Sequence, residues 1–300
     1  MNDAVARTLI IFFIAFGFAL LINLYLSIRE KKTDVWARTL GWIVVLPIFI
    51  LSAYFGGIYF LVVVMLMTVI GVLEFYFLAE HTNIKVFKVT GTIFSASLPL
   101  VAFFGDGKVY EIAIILFSLF ILAIPIYKRQ VLNDLSADIH SSATTLLGII
   151  YIGWTLSYLI LIRNLENGFN YFLYFYFLIL ANDISSYYAG KFFGKSNIFQ
   201  QISPSKTLEG SLGGIAGTIF VAFLLRYLVP TFNYPYIFLL SAIVAVFGEI
   251  GDLVESSLKR EAQVKDAGRL LPGFGGILDR FDSLIYALPI VYFFLVFVKP

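Results

Sequence analysis

YPYIFLLSAIVAVFGEIGDLVESSLKREAQVKDAGRLLPGFGGILDRFD, residues 234–282, changes character halfway along. Residues 234–255 are an apolar run whose only charges are Glu249, Asp252 and Glu255. A helix of about 20 apolar residues crosses a bilayer core of about 30 Å. The next 27 residues hold nine charged side chains and the turn Leu271-Pro272-Gly273-Phe274-Gly275-Gly276. That turn cannot be regular helix, because proline lacks a donor and the glycines permit positive φ. The stretch therefore predicts a spanning helix ending in a charged surface segment, with one more apolar segment, 283–298, after it.

Apolar segments of the same kind recur at 8–28, 39–55, 58–79, 89–104, 110–127, 142–162, 169–189 and 210–229. The chain is 60% hydrophobic and 13% charged, against about 25% charged in soluble domains. The expected fold is an all-α integral membrane protein, a polytopic helical bundle of nine to ten transmembrane helices. The segment 89–104 is the weakest of these spans. Residues 8–28 are too long for a signal-peptide core and lack a cleavage site after them, so they are read as a span. There is no cysteine, which excludes disulfides, thiolate metal sites and thiol nucleophiles.

With ten spans, alternating loops carry sixteen Lys and Arg on one side and four on the other. Positive residues mark the cytoplasmic face. Loops 29–38, 81–88, 128–141, 190–209 and 256–282 are thus expected in the cytoplasm, and the outer loops are too short for a folded domain. Function is expected at the cytoplasmic surface. The chain divides into N-terminal helices 1–88, middle helices 89–141, and a C-terminal region 142–300 that carries the two long polar loops.

A carboxylate at membrane depth costs on the order of 2.5–3.5 kcal/mol, so Asp183, Glu249 and Asp252 call for partners. Glu249, Asp252 and Ser256 share one helix face at i, i+3 and i+7. Like charges so placed repel, and a divalent cation or cationic side chains relieve them. Glu74 and Asn23 match no motif and are read as helix-packing polar groups. Gly210, Gly213, Gly214 and Gly217 form a small-residue face for close helix packing. His81 and His140 have no ligand spacing.

Two polar constellations carry chemistry. Residues 181–210 offer Asp183, Lys191, Lys195 and Lys206 around a Ser203-Pro204 turn ahead of a helix start. Residues 256–282 offer Lys259, Arg260, Lys265, Asp266, the glycine turn, Asp279, Arg280 and Asp282. Carboxylates for Mg²⁺, cations for phosphates and backbone N–H groups of a glycine turn are the parts that phosphoryl or nucleotidyl transfer needs. No P-loop, GxSxG or HExxH motif is present.

The second constellation resembles the signature of the phosphatidate cytidylyltransferases, the CDP-diacylglycerol synthases. Ser256, Leu258, Lys259, Arg260, Lys265, Asp266, Gly268, Leu271, Pro272, Gly275, Gly276, Asp279, Arg280 and Asp282 match that spaced pattern in register. The segment 181–214 is similar to a second family element. Three positions depart: Phe274 stands where the pattern has His, Ser205 where it has Lys, and Ser186 where it has Ala. Phosphatidate is largely ionised near neutral pH, so activity is expected despite Phe274.

The resemblance implies that CTP and phosphatidic acid give CDP-diacylglycerol and pyrophosphate at the cytoplasmic surface of a bacterial inner membrane. It implies Asp183, Asp252, Asp266, Asp279 and Asp282 as the pool of Mg²⁺ ligands. Lys259, Arg260, Lys265 and Arg280 would act on the phosphates in catalysis, and Lys191, Lys206, Gly275 and Gly276 would bind the nucleotide. An assisting monovalent cation and a homodimer are left open, and no nucleic acid partner is expected. The rival readings are a CTP-dependent lipid kinase, which would release CDP, and a transporter with intramembrane acids, which would show half-to-half symmetry not seen here.

Overall fold

The computed structural model of the chain describes residues 33–105, 107–132, 138–268 and 275–298, with isolated positions 6, 9, 10 and 17 before them. Among these residues the regular elements are helical: α1 (Thr33–Phe55), α2 (Gly57–His81), α3 (Lys88–Phe104), α4 (Gly107–Leu132), α5 (Ile139–Asn164), α6 (Gly168–Phe193), α7 (Leu208–Leu224), α8 (Tyr234–Glu261) and α9 (Leu278–Val298). Each falls on one of the expected apolar segments. Apart from three isolated positions, the segment 8–28 lies outside the described residues.

Among the described residues, five helices are long and apolar enough to cross a membrane: α2, α4, α5, α8 and α9. The helices α3 and α7 have 17 residues each, about 26 Å at 1.5 Å per residue, short of the hydrocarbon core. The bundle is centred on α5, whose most apolar stretch is 72% buried, whereas that of α4 is 11% buried. Ile112, Ile115, Leu119 and Phe120 of α4 are exposed, as lipid-facing side chains are. A π-helical turn, Ile149–Trp154, interrupts α5. It is flanked by Gly148, against Tyr76 and Phe75 of α2, and contains Gly153, against Ser95 and Leu98 of α3.

Specific contacts hold the ends. The hairpin between α1 and α2 turns at Gly56, whose φ of +64° suits glycine. Arg163 at the end of α5 donates from Nε to the Ala53 carbonyl (2.6 Å) and from Nη2 to that of Tyr54 (3.2 Å), satisfying orphan groups at the α1 C-terminus. Phe49 of α1 packs edge-on against Phe172 and Tyr176 of α6 and Phe281 of α9, with centroids 5.2–5.5 Å apart. Phe281 is therefore anchored in the core between two polar neighbours, Arg280 and Asp282. The expected glycine face is present: Gly213, Gly214 and Gly217 of α7 lie against Ala189, Ser186 and Ser185 of α6, where any Cβ would collide.

Candidate active site

The end of α8 carries the acids Asp252 and Glu255, three apart on one helix face. Gly251 lets α9 come close. A Cβ there would stand 2.5 Å from the Asp282 carbonyl and 2.8 Å from Tyr286 Cβ. That approach brings one carboxylate oxygen each from Asp252, Glu255 and Asp282 within 4.8 Å of one another. Glu255 has no exposed surface. Its partner is ionic: Lys259 Nζ lies 2.5 Å from Glu255 Oε2. Three converging carboxylates, one of them fully buried, form the all-oxygen set that a hard cation such as Mg²⁺ takes. The residues fit that ion.

Lys259 also pairs with Asp279 Oδ1 at 2.9 Å. The other oxygen of Asp279 accepts from the backbone N–H groups of Ala267 and Gly276, each at 2.9 Å. Asp279 thus braces the turn between α8 and α9, and one glycine N–H expected to face phosphate is committed to it. Gly275 holds a φ of +86°, which favours glycine. Arg280 is half-buried on the first turn of α9. Phe274 lies outside the described residues.

Beside the acidic cluster is a cavity of about 460 Å³. Asp183 and Lys191 of α6, Lys206 of the 194–207 loop, and Glu249 and Asp252 of α8 line it. Lys206 Nζ is 2.9 Å from Asp252 Oδ2 and 3.5 Å from the Glu249 carbonyl oxygen. Ser211 donates its hydroxyl to Glu249 Oε1, and Ser256 Oγ lies 3.3 Å from Asp252 Oδ1. Asn182 Oδ1 and Ser186 Oγ are buried without partners, in the same wall.

The loop that supplies Lys206 is held at several points. Glu209 accepts from the N–H groups of Lys195 (3.0 Å) and Ser196 (3.1 Å). Thr207 caps α7 through the Gly210 N–H at 3.1 Å. Arg260 Nε donates to the Ile202 carbonyl at 3.2 Å, so this cation fastens the loop to the end of α8.

The site residues expected from sequence fall into three places. Asp183, Lys191, Lys206 and Asp252 share the cavity, and Asp282 joins Asp252 in the acidic cluster. Lys259 and Asp279 support that cluster from behind. Lys265 and Asp266 are exposed and line a separate groove of about 750 Å³ with Leu73, Phe77 and His81 of α2.

Two acids were not expected at the site. Glu255 had a signal, its i+3 spacing from Asp252 on one helix face. Glu74 had none. It comes from α2 and accepts from the N–H groups of Ile277 (3.1 Å) and Leu278 (2.8 Å).

The family model of the cytidylyltransferase family matches residues 36–298. The chain is 42% identical over 197 residues to a phosphatidate cytidylyltransferase of Bacillus subtilis (strain 168), covering 65% of this chain and 71% of the relative. It is 32% identical over 260 residues to one of Staphylococcus haemolyticus, covering 86% and 98%. A third, of Staphylococcus aureus (strain COL), is 32% identical over 261 residues with the same coverage.

Proposed function

Because the chain belongs to the cytidylyltransferase family, we infer that it joins CTP to phosphatidate, giving CDP-diacylglycerol and pyrophosphate at the membrane. The observation that carries this reading in the chain's own residues is the junction of the cavity with the acidic cluster. Lys206 and Lys191 stand on the cavity wall, and Asp252 belongs to both cavity and cluster. A polyphosphate needs fixed cations, and the two phosphates brought together need their charge neutralised.

In this reading an oxygen of the phosphatidate phosphate attacks the α-phosphorus of CTP. The new P–O bond forms as the bond from the α-phosphorus to the bridging oxygen breaks, and that oxygen leaves with pyrophosphate. No proton must be removed from the ionised lipid phosphate. Asp252, Glu255 and Asp282 would hold Mg²⁺, which would supply charge neutralisation on the phosphates, and Asp183 adds a carboxylate to the adjoining cavity. Lys206 and Lys191 bind and orient the triphosphate. Lys259 pairs with Glu255 and Asp279 and holds both in place, and Arg260 fastens the 194–207 loop to the end of α8. Lys265 and Asp266 lie apart from the cluster, in the groove that borders α2. An assisting monovalent cation is kept within this proposal.

The finer topology belongs to the same proposal. The chain has nine to ten spans, the site faces the cytoplasm, and the catalytic part is 142–300. Charge asymmetry supports the orientation, and bacterial relatives support the plasma membrane.

Purified protein given labelled CTP, phosphatidic acid and Mg²⁺ should yield labelled CDP-diacylglycerol and one pyrophosphate per turnover. Release of CDP with a doubly phosphorylated lipid would instead identify a lipid kinase.

A further inference from the structure

Glu74 reaches the α8–α9 turn from the N-terminal half of the described chain, and the proposed reaction assigns it no part. It is 8% exposed, late in α2, yet its carboxylate spends both oxygens on backbone N–H groups of the α9 start. Those donors, Ile277 and Leu278, are 203 and 204 residues away in sequence. The next residue is Asp279, the brace, and one turn later comes Asp282, a member of the acidic cluster.

Two glycines enclose the carboxylate. A Cβ on Gly268 would lie 2.5 Å from Glu74 Cδ and 2.7 Å from its Cγ. A Cβ on Gly276 would lie 2.6 Å from both Cδ and Oε1. Neither glycine has positive φ, so backbone conformation does not demand glycine at either place. The space does. Real Cβ atoms do not approach this closely, and the neighbour is a carboxylate fixed by two hydrogen bonds.

We propose that Glu74 is a positioning residue for the transfer reaction: its carboxylate, seated between Gly268 and Gly276, fixes the first turn of α9 and so sets where Asp282 meets Asp252 and Glu255. The requirement for small residues at 268 and 276 is then a requirement for room around an acid from α2. A carboxylate suits the place because it offers two acceptors to two parallel donors, and negative charge is favoured at a helix N-terminus. Glutamine keeps one acceptor and turns an N–H₂ toward the other donor.

The inference rests on the proposed function, and its test separates the two. Wild type, Glu74→Gln, Glu74→Ala, Gly268→Ala and Glu74→Ala/Gly268→Ala are prepared as full-length protein in lipid nanodiscs. Mn²⁺ affinity without substrate, CDP-diacylglycerol formation and the thermal unfolding midpoint are measured for each. Glu74→Gln should weaken Mn²⁺ binding about 10-fold and lower turnover about 10- to 100-fold, the range for groups that orient metal ligands, with little change in unfolding. Gly268→Ala should be damaging in the wild-type background and cost less than about 3-fold more once Glu74 is alanine, since neighbours in contact couple. A Glu74→Asp/Gly268→Ala pair repeats the cycle with a shorter carboxylate if Glu74→Ala does not accumulate.

Unchanged Mn²⁺ affinity and turnover in Glu74→Gln, or additive losses in the cycle, would overturn the proposal. Wild type that binds Mn²⁺ but makes no CDP-diacylglycerol would overturn the function and leave the metal-binding arm able to judge Glu74.

Discussion

Asp279 and Asp282 occupy the same helical turn and have the same side chain, yet their surroundings assign them different work. Asp282 offers an oxygen to the cluster with Asp252 and Glu255. Asp279 has one oxygen on Lys259 and the other on two backbone N–H groups. Asp282→Asn and Glu255→Gln should each lower Mg²⁺-dependent turnover by at least about 100-fold, above the range for second-layer groups, while the protein still inserts and folds. Asp279→Asn should act on stability as well, because removing one member of a buried ion pair costs about 3–5 kcal/mol. Thermal unfolding of the three variants separates the roles. A Glu255→Gln enzyme with normal turnover would remove Glu255 from the metal set. Phe274→His should leave turnover unchanged or raise it, since an ionised lipid phosphate has no proton to give up; a large loss would show that the turn works differently from the one its relatives carry.

Helices meet at this site through glycine. Gly251 admits the start of α9 to α8, and Gly213, Gly214 and Gly217 admit α7 to α6. In a membrane, where apolar burial does not drive helices together, such close backbone approach is a main source of attraction. Gly251→Ala puts a methyl 2.5 Å from the Asp282 carbonyl. Overpacking of this kind costs about 1–3 kcal/mol, and here the displaced group is next to a cluster carboxylate. Turnover of Gly251→Ala should therefore fall by more than about 10-fold, the equivalent of about 1.4 kcal/mol. The same substitution at Gly71, where a Cβ would meet Ile152 Cγ2 at 3.1 Å, should lower stability with little direct effect on turnover.

Across the whole molecule, the cluster of acids and the cavity draw on α6, α8 and α9 and on the 194–207 loop, with α2 bracing the turn from the opposite side. In the proposed reaction a lipid phosphate and a soluble nucleotide must both reach this site. The proposed cytoplasmic orientation of this face rests on the charge asymmetry of the loops, and the absence of native cysteine makes it directly measurable. Gln201→Cys, in the exposed part of the loop, should react with an impermeant maleimide in inside-out vesicles and resist it in intact cells. Labelling in intact cells would reverse the topology.

Much of this was legible in the chain. Apolar segments of helical length mark nine described helices because a bilayer punishes an unpaired backbone group wherever it lies, so hydropathy alone locates the helices. The spaced signature from Ser256 to Asp282 identifies the chemistry, since local spacing on a helix and turn sets which cations and acids can converge. The shared face of Glu249 and Asp252 was readable from helical period, and the glycine face of α7 from its i, i+3, i+4, i+7 spacing. Sequence could not sort the acids into cluster, brace and outlying groove, because that depends on where α9 crosses α8 and on which backbone donors each carboxylate meets. Nor could it connect Glu74 to Ile277 and Leu278. A hydrogen bond between residues some 200 positions apart leaves no periodic trace, and only the packing of α2 against the α8–α9 turn creates it.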